Sequence, residues 1–179
     1  MIESPDLPGV PDVQTVTSTG RAVATVIDGV ITRRPPVHVD HRGSLHELYN
    51  GAPDLGPEPI VHVYQTSLRP GQIKGWARHE LKVDRYTIAV GEMLALLYDG
   101  RPGSPTEGVL QRIVLSPRGD MQMRIPVGVW HLLINLSTDE THFINMPTKP
   151  YVYEHPDRIL LPWNTDELPV DVRQYLPKY

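Results

Sequence analysis

The chain contains no cysteine, which removes disulfides, thiolate nucleophiles and cysteine-ligated zinc from consideration. No apolar run approaches the roughly 20 residues that span a bilayer. The opening Met1-Ile2-Glu3-Ser4-Pro5-Asp6 lacks the apolar core of a secretory leader. There is no basic surplus either: 17 Lys and Arg stand against 21 Asp and Glu, a net charge of −4. The electrostatic footprint of a nucleic-acid binder is therefore missing. A cytoplasmic protein with neither membrane nor nucleic acid as partner is expected. With one Phe against eight Tyr and three Trp, the core must rest on Val, Ile and Leu. The Tyr and Trp rings keep a polar end that needs a partner. No stretch sustains a helical period, a heptad pattern or an internal repeat.

Proline, by contrast, is abundant at 19 of 179 residues, against an ordinary frequency of about 5%. It supplies no ladder donor and breaks helix interiors, so many short strands joined by stiff turns are expected. The length fits one domain. Residues 1–20, polar and carrying Pro5, Pro8 and Pro11, read as an N-terminal arm, and residues 21–179 as a single domain. Two short strands are expected within 21–33, around the hairpin signal Asp28-Gly29. Further strands fall at 60–68, 83–90, 93–98, 110–115, 121–125, 130–136 and 141–146. The turns Gly91-Glu92, Pro117-Arg118-Gly119 and 137–140 are expected to join neighbouring strands as hairpins. Only residues 166–175 leave room for a helix, and Pro169 weighs against it. The pattern is that of an all-β sandwich or barrel.

Strand alternation places His131, Leu133 and Asn135 on one face and Trp130, Leu132 and Ile134 on the other. It likewise groups Asp84 with Tyr86 and Ile88, and Phe143 with Asn145. Polar groups thus converge on an apolar interior, the arrangement of a small-ligand pocket, centred on His79 and His131. Blander roles compete. His131 would serve equally as a core histidine satisfied by a carbonyl, and Asp84 would pair with Arg85, Lys82 or Lys74. Trp76 reads as a packing residue, and Tyr86 and Tyr98 as core or wall. His38, His41, His46, His62, His142 and His155 show no ligand spacing. His79, Asp84 and His131 also form a two-histidine, one-carboxylate set suited to Fe(II), Mn, Zn or Ni.

Two segments resemble the paired motifs of the cupin superfamily. Gly119, Pro126, Gly128, His131 and Asn135 follow the order of the second motif, with one extra residue after Gly119. His79, four residues, Asp84, six residues and Gly91 keep the spacing of the first, whose leading His is here Ala77. Asp40-His41-Arg42-Gly43 with Glu47, Lys74-Gly75-Trp76, and Asp99-Gly100-Arg101-Pro102-Gly103-Ser104-Pro105-Thr106-Glu107-Gly108 narrow the match. They resemble the dTDP-4-dehydrorhamnose 3,5-epimerase family over about residues 40–172.

The resemblance implies an antiparallel jelly-roll β-barrel (cupin) and a homodimer exchanging N-terminal strands. It also implies a nucleotide-linked 4-keto sugar as ligand and no metal cofactor. Carried over, Arg42 and Glu47 meet the nucleotide, Lys74 the phosphates and His131 the sugar, while Arg101 is as well suited to bracing a barrel loop. The family's chemistry takes a base beside the 4-keto group, an acid on the opposite face and a cation to stabilise the enolate. In this chain the base position holds Ala77, the acid tyrosine's position Asn145 and the sugar-side lysine's position Asp84. The base's aspartate partner falls near Asn164 or Thr165. His79 is then the histidine available as base, with Asp84 to hold it. The expected catalytic set is His79, His131 and Asp84, and the substrate-binding set Arg42, Glu47, Lys74 and Asn145. The expected function is an isomerase acting on or binding a dTDP-linked keto-deoxysugar. Two alternatives stay open: a metal-dependent cupin using His79, Asp84 and His131, and a metabolite-binding cupin or repurposed enzyme of specialised metabolism.

Overall fold

Short strands separated by proline- and glycine-rich turns dominate the computed structural model, which describes residues 12–19, 23, 25–51 and 53–177. In chain order they are β1 (Ile31–Arg33), β2 (Val37–Asp40), β3 (Gly43–His46), β4 (Tyr64–Leu68), β5 (Ile73–Arg78), β6 (Asp84–Val90), β7 (Met93–Tyr98), β8 (Leu110–Leu115), β9 (Gln122–Ile125), β10 (Trp130–Asn135), β11 (Thr141–Asn145) and β12 (Ile159–Leu160). They build two five-stranded antiparallel sheets, ordered β1-β9-β6-β11-β4 and β12-β5-β10-β7-β8, while β2 and β3 form a separate ribbon. The two sheets stack as a jelly roll.

Three of the expected turns are present but do not close hairpins. β6 and β7 lie in different sheets, as do β8 and β9, and β10 and β11. Each turn reverses the chain while carrying it from one sheet to the other. A tight turn fixes the reversal; burial of both inner faces decides which neighbour a strand pairs with. Gly91 marks such a corner, with φ +81° and no room for a side chain, since a Cβ would sit 2.6 Å from the Thr141 hydroxyl. Asp28-Gly29 does turn, with the Val30 N–H donating to the Ile27 carbonyl at 3.0 Å. A strand follows it only at β1, and positions 21, 22 and 24 of the expected first strand lie outside the described residues. Of the expected arm, residues 1–11 and 20 also lie outside them. The helix weighed at 166–175 reduces to a single 3-10 turn at Val172–Tyr175.

Ile88, Leu97, Leu115, Met123, Leu133 and Phe143 fill the space between the sheets. A second core lies behind β7 and β10, where Trp76, Leu96, Leu132 and Ile134 are covered by Leu168, Val170 and Val172 of the C-terminal segment. β10 is therefore buried on both faces, and its outward set is as apolar as its inward one. Its register against β5 shifts between His131 and Leu133. Gly75 stands at this crossing with φ +120°, where a Cβ would meet the His131 carbonyl at 2.6 Å. That close approach sets Ala77 directly opposite His131.

Candidate active site

His131 projects inward from β10 in one sheet, and Asp84 opens β6 in the other. His79 follows the end of β5 and completes the group. His79 Nε2 lies 3.1 Å from Asp84 Oδ2, His131 Nε2 lies 3.9 Å from the same oxygen, and the two imidazole centroids are 5.4 Å apart. All three side chains are buried. Each ring is anchored from behind: His79 Nδ1 donates to the Asp157 carbonyl, and His131 Nδ1 donates to the Val129 carbonyl at 3.3 Å. The Asp157 carboxylate in turn accepts the backbone N–H groups of Glu80, Leu81 and Lys82 at 2.8, 3.0 and 3.0 Å. One residue from a distant loop thus fixes both the ring and the turn that bears it.

Asp84 is saturated. Tyr86 donates its hydroxyl to Oδ2 at 3.0 Å, Asn145 Nδ2 donates to Oδ1 at 3.0 Å, and Lys82 Nζ lies 3.7 Å from Oδ1. Burial pushes the carboxyl pKa up, but the hydrogen bond and charge of His79, with His131 and Lys82 behind them, outweigh it. The group stays well below the ordinary carboxylate range. For His131 the balance runs the other way. Burial outweighs the attraction of Asp84 and lowers the imidazole to about 4. At neutral pH this ring is uncharged, and with its proton on Nδ1 its Nε2 lone pair faces the interior. Both nitrogens of His79, by contrast, are engaged by oxygens, Nδ1 by the Asp157 carbonyl and Nε2 by the Asp84 carboxylate.

These groups floor a cavity of about 360 Å³, within the range of about 300–1,000 Å³ usual for small-ligand sites. Lys74, Lys82 and Arg158 line it against one carboxylate, Asp84. In a chain that is net acidic, this local excess of positive charge suits an anionic ligand. Tyr64 also lines it. Tyr64 and Arg158 were absent from the sequence-based set. Counting back by twos from buried Leu68 brings Tyr64 inward, so strand parity carried that signal. Arg158 enters from an irregular segment beside β12 and left none.

Of the expected substrate-binding residues, Lys74 lines the cavity and Asn145 lies against Asp84. Arg42 and Glu47 do not line the cavity of their own chain. Arg42 caps the β2–β3 ribbon, 2.5 Å from Asp40, and Glu47 accepts from Asn50 at 3.0 Å. Asn164 and Thr165 also lie outside the cavity. The Asp99–Gly108 segment is a brace. The Asp99 carboxylate accepts from Arg101 Nε at 2.7 Å, Ser104 Oγ at 2.6 Å and Thr106 Oγ1 at 2.7 Å. Arg101 ties this loop to the Asp28 carbonyl at 2.9 Å.

The ligand atoms of His79, Asp84 and His131 lie within 4.8 Å of one another, and both histidines carry the back-side carbonyl typical of metal ligands. A divalent cation would nevertheless have to displace His79 or Tyr86 from Asp84 Oδ2. It would also face the Lys82 ammonium, 3.7 Å from the other oxygen. The donor types fit a metal, whereas the occupied carboxylate and adjoining cation favour proton chemistry.

A family model described as dTDP-4-dehydrorhamnose 3,5-epimerase matches residues 24–178. The probable low-salt glycan biosynthesis epimerase Agl13 of Haloferax volcanii is 32% identical over 142 residues, covering 77% of this chain and 89% of that protein. The structure of a dTDP sugar isomerase from Desulfovibrio desulfuricans superposes with a TM-score of 0.75 at 22% identity, over 81% of this chain and 91% of that one. The dTDP-6-deoxy-D-glucose-3,5-epimerase RmlC of Legionella pneumophila, in complex with dTDP-4-keto-L-rhamnose, gives 0.71 at 24% identity, over 82% and 80%.

Proposed function

Because the chain belongs to the dTDP-4-dehydrorhamnose 3,5-epimerase family, we propose that it epimerises or isomerises a dTDP-linked 4-keto-deoxysugar by proton transfer between side chains. One observation carries this reading: a buried imidazole, held at Nδ1 by the Val129 carbonyl with Nε2 turned inward, in a cavity lined by Lys74, Lys82 and Arg158 against a single carboxylate. His131 Nε2 takes the proton from a ring carbon next to the 4-keto group. A carbon–carbon double bond forms to C4, and O4 becomes the enolate oxygen. Lys82, buried within the site, stabilises that oxygen, and Lys74 and Arg158 hold the diphosphate. His79 acts through Asp84 as a positioning residue, because both of its nitrogens are already engaged by protein oxygens.

Arg42 and Glu47 belong to this reading through a second copy of the chain. The β2–β3 ribbon pairs with no other strand among the described residues and exposes Val39 and Leu45, as a segment that seats on a partner in a homodimer would. A metal-dependent enzyme is the second reading, favoured by the 4.8 Å grouping of His79, Asp84 and His131 and opposed by the saturation of Asp84. A pocket that binds without turnover is the third, supported by Ala77 and Asn145.

The test is incubation with dTDP-4-keto-6-deoxyglucose and related 4-keto sugars in D₂O, read by NMR. Deuterium is expected at a ring carbon adjoining C4, and a His131→Ala variant is expected to slow its entry at least about 100-fold. Absence of exchange across the whole panel rejects the reading.

A further inference from the structure

Epimerisation needs proton donors and acceptors on both faces of the sugar ring, and the position that would bear the acid tyrosine is here Asn145, an amide that cannot supply a proton at neutral pH. A phenol nevertheless stands beside it. Asn145 on β11 pairs directly with Tyr64 on β4, and Asn145 Nδ2 donates to the Tyr64 hydroxyl oxygen at 2.8 Å. From this geometry we infer that Tyr64 is the proton donor of the reaction, moved one strand sideways and held in place by the asparagine that occupies the former acid position. The inference rests on the reading of His131 as base.

Three observations support it. The first is the orientation of the amide. Asn145 Oδ1 accepts the Arg85 N–H at 3.2 Å, and Nδ2 also donates to Asp84. A flipped amide would set N–H against N–H and leave the carboxylate facing a carbonyl, so the nitrogen must be the atom turned toward Tyr64. The phenol oxygen therefore accepts, and its own proton remains available to the cavity that the ring lines.

The second is topology. Tyr64 comes from the sheet containing β4, β6 and β11, and His131 from the sheet containing β5, β7 and β10. A sugar ring lying between the sheets meets the imidazole on one face and the phenol on the other. The third is electrostatic. Burial and then the charge of Asp84 raise the Tyr64 pKa, so the phenol is protonated at neutral pH, as a donor must be.

Once His131 has taken the ring proton, the enolate electron pair closes onto the same carbon from the opposite face and takes the Tyr64 hydroxyl proton. The phenolate left behind keeps the Asn145 N–H bond. Solvent reprotonates it, and the His131 imidazolium returns its proton to solvent.

The test compares wild-type, Tyr64→Phe and His131→Ala proteins with the keto sugar in D₂O, scoring deuterium entry and configurational inversion separately. Calorimetric binding of dTDP and thermal melting serve as controls for the fold. Tyr64→Phe is expected to keep deuterium entry within a few-fold, because His131 still removes and returns protons on its own face. Its inversion is expected to fall at least about 100-fold. Asn145→Tyr placed on the Tyr64→Phe background restores part of the inversion if the phenol alone was missing. Inversion by Tyr64→Phe near the wild-type rate overturns the inference while leaving His131 as base. So does loss of both readouts with dTDP binding intact. If the wild-type protein shows no deuterium entry, the underlying functional reading fails first.

Discussion

The role proposed for His131 depends on its surroundings. Burial lowers its pKa from 6.5 to about 4, so the unfolded chain binds this proton more tightly than the folded one between those values. Stability from this group is complete above about pH 6.5, falls as the pH drops toward 4, and amounts to about 3 kcal/mol at most. Denaturant unfolding between pH 7 and 4 is expected to show this loss, and His131→Gln to flatten it. An unchanged slope would mean that the ring is charged when folded. Alternation around His131 and its place in the order Gly119, Pro126, Gly128, His131, Asn135 made this residue readable from the sequence. The division of labour proposed for the two histidines was not readable. It depends on the Asp157 carbonyl behind His79, some eighty positions along the chain, and no local pattern reports such a contact. Ala77 and Asn145 were visible as missing functional groups, whereas the compensation by Tyr64 requires the β4–β11 register.

At the scale of elements, strands and turns were legible because proline, glycine and alternation are local signals. Pairing was not. Gly91-Glu92 reads the same whether it closes a hairpin or turns a corner between sheets, and only burial of β6 and β7 on facing surfaces separates the two. The C-terminal segment was similarly opaque: Leu168, Val170 and Val172 have no strand of their own and become a core only by covering Trp76 and Leu132. In the proposed homodimer, the β2–β3 ribbon is the element on which assembly would depend. Deleting residues 37–46 is expected to convert a dimer into a monomer by light scattering and to abolish dTDP binding. Arg42→Ala is expected to weaken dTDP binding about 10-fold, as loss of a charge-assisted bond of roughly 1.5 kcal/mol would, without changing the dimer. Retention of full affinity by both variants would remove the ribbon from the site.

Over the whole molecule, the fold was the most legible property: composition and turn density pointed to a β sandwich or barrel, and the family resemblance carried by the Asp99–Gly108 string implied a jelly roll. That string reports the brace beneath the barrel loop; the reacting groups lie elsewhere. On the proposed reading, the chain keeps the architecture of its family while its acid and base stand on different residues. The central claim is that side chains alone move the proton. It is tested by measuring deuterium entry into the keto sugar before and after exhaustive dialysis against a chelator, with bound metal quantified by elemental analysis. The expected result is an unchanged rate in metal-free protein, and a rate at least about 100-fold lower in His131→Ala. A rate that collapses on dialysis and returns with one equivalent of Fe(II), Mn(II), Zn(II) or Ni(II) would contradict it.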